Sequence, residues 1–513
     1  MPVAFSHQTR ALASVSPEAV LRRFETAHRK RRAWEDLWQD CYDYALPQRG
    51  DFLGGVQSGN RRSERLYDAT ALDAVDQLAA SLLGNLTPPL VPWFGFRAGP
   101  ELDEVEAERI APLLEKAARI MHSHFDQSNF IVEVHQAFLD LVVGGTASLA
   151  FEESHPGTPS AFRFTAVPLG EVILEEGDLG FLDGVYRILS LTLSQIKDRY
   201  TAAEVPRGIE DQGSRDMQAN FRILEAVLPN GRGFDYTVIA LDGTEVLLSQ
   251  AISQSPFINF RWMKSAGESY GRSPIMKALP DIKTANKVVE LILKNASIAV
   301  TGIWQAEDDG VLNPANIELV PGAIIPKAMG SKGLTPLEMP GRFDVSQIIL
   351  DDLRSRIRHA LLADRLPELG QARMTATEVT ERSAQMSLLL GATYGRLQSE
   401  FLIPLIQRAY LILKRRGVLP DLPLDGRIVQ IELRSPLARA EAARHLDSTM
   451  TWVRNILSLG NGGAEYVNIG EVVRYMSRVL GVPPQLLNSI PSSELSLNLH
   501  SNPDPLAKET SHD

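Results

Sequence analysis

The stretch GESYGRSP, residues 267–274, is where the chain comes closest to a phosphate-binding loop. It lies between a strand-like apolar run, 257–263, and a helix-like run from Ile275, a setting in which glycines could turn backbone N–H groups toward an anion. A phosphate loop carries four residues between its glycines, then Lys and Ser or Thr. Here three residues separate Gly267 from Gly271, Arg272 stands where the lysine belongs, and Pro274 removes a donor. The residue types fit a turn into a helix instead, with Ser273 as N-cap and Pro274 as the first helical residue.

Other chemistry-bearing residues are as poorly spaced. His122 and His124 are two apart, which puts them on different sides of a helix and argues against a shared metal. The acidic pairs Asp308-Asp309 and Asp351-Asp352 are sequence neighbours and do not share a face, so two-metal chemistry has no support. The one cysteine, Cys41, can form no internal disulfide, has no local partner that would make it a nucleophile, and gives no metal cluster. GNGG at 460–463 reads as a loop between helices. No catalytic, cofactor-binding or metal-binding residue is expected, and no enzyme.

The elements that would position any site read as follows. Helices are expected over 17–46, 70–85, 101–125 and 131–141, the first carrying a basic patch at Arg29, Lys30, Arg31 and Arg32 that is either a solvated face or a contact for nucleic acid or an acidic partner. From 148 to 263 short β-like runs are separated by Gly, Pro, Asn and Asp, with one helical interruption near 193–200. A helix at 274–299, with Ile275, Leu279, Ile282, Ala285, Val289, Leu293 and Ala296 spaced by threes and fours, is followed by a Gly/Pro-rich insert of short strands. A second helix, 344–363, leads through a polar loop to a long helix, 377–416, of about 60 Å that Pro404 should kink. A strand at 427–435, further helices to about 488 and a polar tail from 491, expected to be disordered, complete an α+β chain.

Composition narrows the function. At 513 residues the chain exceeds one compact core, and its 44% hydrophobic and 22% charged residues are ordinary for a folded protein. A net charge of −11 argues against a protein that coats nucleic acid. With no apolar run near the start and none approaching the ~20 residues of a membrane span, the expectation is a soluble protein of intracellular origin with no membrane partner. Two helices bracketing a small β insert have little core of their own, which implies an oligomer that buries their stripes between subunits.

Four segments, RRAWEDLWQDCYDYALPQ, RLYDATALDAVDQLAASLLGNLTPPLVPWF, GESYGRSPIMKALPDIKTANKV and RMTATEVTER, occur in this order over most of the chain. Together they resemble the head-to-tail connector, or portal, proteins of short-tailed, podovirus-type bacteriophages. The resemblance implies a dodecameric ring at one capsid vertex of the virion, built in the host cytoplasm, through which double-stranded DNA is packaged and ejected without sequence specificity. It implies contacts with a separate terminase motor, tail adaptor proteins, and capsid and scaffolding proteins.

The resemblance also implies parts: a wing (1–265), stem helices (266–299 and 344–363), a β-rich clip (300–343), a channel loop (364–376), a long kinked helix with a return strand to the wing (377–435), a crown (436–490) and a tail (491–513). Ile282, Val289 and Leu293 would then pack between stem helices, and Trp304, Ile317, Leu319, Ile324 and Ile325 between neighbouring clips. Arg365 and Arg373 of the channel loop would face DNA, with Asp364 and Glu368 offsetting their charge. Lys283, Lys287 and Lys294 would form further belts or a solvated outer face. Two other classes match parts of the pattern: an enzyme with a β-rich catalytic body at 148–263, and a helical scaffolding or adaptor protein. Nucleotide hydrolysis would mark the first, and lack of a clip insert and central hole the second.

Overall fold

The first helix begins where the chain first offers a cap. Ser16 accepts a hydrogen bond from the Ala19 N–H and Pro17 takes the first helical position, opening α1 (Pro17–Ala45). The computed structural model describes residues 16–49, 52, 65–231, 233–301, 304–306, 329, 334–336, 343–365, 390–458 and 467–480. The next elements are α2 (Thr70–Leu86), β1 (Phe94–Ala98), α3 (Glu104–Asp126) and α4 (Phe130–Gly144). Asp103 caps α3 by accepting from the Glu106 N–H at 2.7 Å.

α4 is buried continuously from Ala137 to Gly144 because α1, α2 and a sheet all cover it. That sheet has three antiparallel strands in the order β3-β2-β9: β2 (Thr146–Glu153), β3 (Phe162–Val167) and β9 (Phe257–Arg261). Phe125, Phe130, Phe151, Phe162 and Phe164 form one aromatic core between α3, α4 and β2–β3.

A second sheet is a five-stranded antiparallel meander, β4 (Val172–Glu176), β5 (Leu182–Thr192), β6 (Asn220–Pro229), β7 (Phe234–Ala240) and β8 (Glu245–Ile252). Its faces are covered by different helices. Val20, Phe24 and Ala27 of α1 pack on Ile173, Tyr186, Leu224, Ala226 and Ile239. Ile196 and Ile209, from α5 (Leu193–Arg199) and α6 (Arg207–Arg215), pack on Phe221, Ile223, Val238 and Ala240. Successive residues of β6 thus serve opposite cores, as the period of two requires. The sequence reading had one helix here; α6 is the second, and its segment RGIEDQGSR has too few apolar residues to show a stripe.

Beyond β9, α7 (Pro274–Thr301) and α8 (Phe343–Ala360) pack as a pair, with Ala278, Leu279, Ile282 and Ala285 of α7 and Leu350, Leu353 and Ile357 of α8 buried. Between them, β10 (Trp304–Ala306) and β11 (Leu334–Pro336) form an antiparallel ladder. Helix α9 (390–397) continues through a π-turn, Gln398–Leu402, into α10 (Ile403–Arg415). β12 (Val429–Leu433) then returns to pair antiparallel with β1, Phe94 opposite Leu433. A second unit, 437–513, contains most of α11 (Pro436–Leu457) and α12 (Ile469–Leu480). The fold is α+β.

Candidate functional site: the launch of the paired helices

The loop 264–273 is built by its own donors. Ser273 Oγ accepts from the Met276 N–H at 2.9 Å with Pro274 at the first helical position, and the Gly271 N–H donates to Thr146 Oγ1 at 2.8 Å. Gly271 and Gly145 cross so closely that a Cβ on Gly271 would lie 2.0 Å from the Gly145 carbonyl oxygen, and one on Gly145 2.3 Å from that of Gly271. Tyr270 is buried, edge-on to Trp38 at 4.9 Å, and its hydroxyl accepts from the Leu174 N–H. The Arg272 guanidinium lies 4.5 Å over Trp34 and pairs with Glu268. These groups join α7 to α1, β2 and β4, and no anion is needed to satisfy them.

The other chemistry-bearing residues are also structural. His122 Nε2 lies 2.9 Å from the Phe94 carbonyl oxygen, and burial pushes its pKa down. His124 Nδ1 accepts from the Ala161 N–H, and burial likewise lowers its pKa. Cys41 is buried and its thiol is pushed up to about 12, chiefly by burial, so it is a poor nucleophile. Within the basic patch of α1, Arg31 alone turns inward, donating to the Gly170 and Val172 carbonyls, while Arg29, Lys30 and Arg32 stay exposed. Asp352 pairs with Arg356, Gln347 donates to Asp351, and Asp308-Asp309 lie outside the described residues. Among the described residues no three His, Cys, Asp or Glu are placed to hold a metal, and no helix is long and apolar enough to cross a membrane.

A clamp that the sequence reading missed seats the helix pair on the body. Asn286 sits on the buried side of α7 beside Ile282 and Ala285. Its Oδ1 accepts from the N–H groups of Tyr67 (2.6 Å) and Asp68 (3.1 Å), and its Nδ2 donates to the Arg65 carbonyl. Asp68, just before α2, is buried and receives Arg354 of α8 through Nε at 2.9 Å and Nη2 at 2.8 Å. Burial pushes the Asp68 carboxyl up, but hydrogen bonds from Thr70 and the Arg354 pair outweigh it and hold the group below its ordinary value. A lone Asn in the apolar phase of α7 was the available signal.

The predicted site residues fall as follows. Ile282 is buried, Val289 is half-buried and Leu293 is exposed. Leu291, Ile348 and Ile349 of the same helix pair are also exposed, at 48%, 70% and 48%. Lys283 pairs with Asp40 of α1 at 2.6 Å, and Lys287 and Lys294 both pair with Glu290. Asp364 lies in a short 3-10 turn, Ala363–Arg365, with Oδ2 3.0 Å from His359 Nδ1. Trp304 starts β10 opposite Pro336. Ile317, Leu319, Ile324, Ile325, Glu368 and Arg373 lie outside the described residues.

Compared with known proteins, residues 18–487 match the model of the bacteriophage head to tail connecting protein family. This chain belongs to that family. Among curated relatives of this connector-family chain, the probable portal protein of Bordetella phage BPP-1 is 26% identical, the match covering 93% of the chain and 89% of the relative. The portal protein of Salmonella phage epsilon15 is 24% identical with the same coverage. That of Enterobacteria phage T3 is 22% identical over 77% of the chain and 74% of the relative.

Proposed function

We propose that this connector-family chain is a portal: copies of it, a dozen in our reading, close into a ring at one capsid vertex whose channel passes double-stranded DNA during packaging, retention and ejection. The observation that carries this reading is the family match across 18–487, together with relatives along most of the chain that are named portal proteins. The geometry supports it on independent grounds. A lone subunit leaves Leu291, Leu293, Ile348 and Ile349 exposed on one helix pair, and a neighbouring copy would cover them.

On this reading the body up to 265 is the wing, the helix pair the stem, the insert at 300–343 the clip, the segment 364–376 the channel loop, and 436–490 the crown. The clip offers its outer rim first to the terminase motor and later to tail proteins. Arg365 and Arg373, repeated once per subunit, become belts that touch the DNA backbone without reading sequence. The net charge of −11 discourages DNA from adhering to the wall.

Replacing both Val289 and Leu293 by Asp tests assembly. An unpaired carboxylate in a buried interface costs several kcal/mol, so the double variant is expected to remain monomeric by analytical ultracentrifugation while keeping its helical content. Intact rings from it would refute the stem assignment. Replacing Arg365 and Arg373 by Ala is expected to leave rings intact while DNA is translocated or held less well.

A further inference from the structure

The long helix changes phase in its middle. Among the described residues, Leu390, Thr393, Tyr394 and Leu397 are its buried positions before the π-turn, and Leu405, Ala409, Ile412 and Leu413 are among those after it. At about 100° per residue a uniform α-helix would turn the second set roughly 100° from the first, a mismatch of one residue. The π-turn Gln398–Leu402 absorbs that residue, with the Ile403 N–H reaching back five positions to the Gln398 carbonyl. Pro404, which has no N–H and whose ring would press on the Glu400 carbonyl in an α-turn, is compatible with this widening.

Glu400, inside the wide turn, is buried and gathers four donors. Its Oε2 accepts from the Arg261 backbone N–H (3.0 Å) and Nε (3.2 Å), and its Oε1 from Arg261 Nη2 (2.7 Å) and Arg396 Nη1 (2.8 Å). Arg261 is itself fully buried. Its other donor contacts reach Ser269 O (2.9 Å) in the loop that launches α7 and Gly180 O (2.6 Å) in the β4–β5 turn, with Glu176 3.7 Å away. One guanidinium therefore ties the launch of the paired helices to the register of the long helix. The outer side of α9 carries Gly391, Ala392 and Gly395, all exposed, and a Cβ built on either glycine meets nothing. No bulky or charged group at 391 or 395 resists being turned inward.

We propose that Arg261 is a register latch: its grip on Glu400 holds the extra residue of the long helix at 398–402. Displacement of the launch loop or the β4–β5 turn loosens that grip and lets the wide turn migrate toward 390, rotating α9 by one residue against the body. The two arrangements are discrete, because a π-turn carries a whole residue or none. Motion at the base of the helix pair is thereby converted into rotation of α9.

The test places spin labels at Ala392→Cys and Met217→Cys, both exposed, and measures their separation by pulsed dipolar spectroscopy in the full chain, diluted with unlabelled copies so that only pairs within one subunit contribute; the native Cys41 is buried and does not compete. The otherwise unaltered chain is expected to give one distance. Glu400→Gln, which keeps the shape and removes the charge, is expected to add a second population displaced by up to about 8 Å, the movement of a side-chain tip under a 100° rotation. Arg261→Lys, which keeps the charge and loses the fork, is expected to give a smaller second population, and it serves if Glu400→Gln does not fold. A single unshifted distance in every variant that folds overturns the proposal.

Discussion

Replacing Arg354 by Met removes the cation from the clamp that seats the helix pair while keeping most of the side chain's apolar length. Asp68 would be left with only 4% of its side chain exposed and only the Thr70 hydrogen bonds to hold its charge. Breaking a buried pair in this way costs about 3–5 kcal/mol. Because the Arg354 side chain is itself 31% exposed, solvent screens the interaction and brings the cost below that range, to about 2–3 kcal/mol. In the native chain Asp68 titrates below its ordinary value, so its contribution is present above the unfolded carboxylate range and lost as pH falls through the folded value. In Arg354→Met the same carboxyl has lost that support and protonates more readily, so the deficit should be greatest near neutrality and shrink toward pH 4. The assay is hydrogen exchange of the Tyr67 and Asp68 amides, which donate to Asn286, in monomeric protein at pH 7.5 and pH 5. Faster exchange by about 30- to 150-fold at pH 7.5, narrowing at pH 5, is expected. Exchange within twofold of the native chain, or a deficit that ignores pH, would refute the reasoning.

Three further outcomes are expected. Ser273→Ala removes the N-cap of α7 and should cost about 1 kcal/mol, read as faster exchange in the first turn of that helix; unchanged exchange counts against the cap. Gly271→Ala forces apart two crossing backbones and should lower the melting temperature sharply or abolish soluble protein, so a native-like melt would contradict the packing. Asp140, pushed up by burial to about 6 against Arg49 and Tyr42, binds its proton more tightly in the folded than in the unfolded state. Its stabilisation is therefore complete below the unfolded carboxylate range and lost as pH rises through about 6, by about 3 kcal/mol in all. The stability difference between the native chain and Asp140→Asn should shift accordingly between pH 4 and pH 7.5, and a flat difference would exclude this role.

Where local pattern determined structure, the sequence was readable. Ser273-Pro274 marks its helix start by chemistry that acts within three residues, and α7 runs Pro274–Thr301 where its stripe predicts 274–299. Where partners are distant, it was not: Asp68 meets Asn286 and Arg354 across 218 and 286 positions, and no local period encodes such a meeting. The long helix shows the boundary between the two. Pro404 signalled a disruption, but its form, a π-turn five residues long beginning at Gln398, follows from the one-residue slip in apolar phase on either side of it. His122 and His124 were excluded as a metal pair by spacing, yet what occupies them instead, the Phe94 carbonyl and the Ala161 amide, is a tertiary fact. Of the candidate site, the α7 stripe marks Leu293 as a packing residue, whereas the exposure of Ile348 and Ile349 on α8 shows only in the structure.

On the proposed function, copies of this chain close around a passage for DNA. Class-averaged electron micrographs of the purified full-length protein test it most directly. Closed rings of uniform subunit number with an open centre wide enough for a DNA duplex are expected. Isolated subunits at every concentration, or assemblies without a central opening, would contradict it.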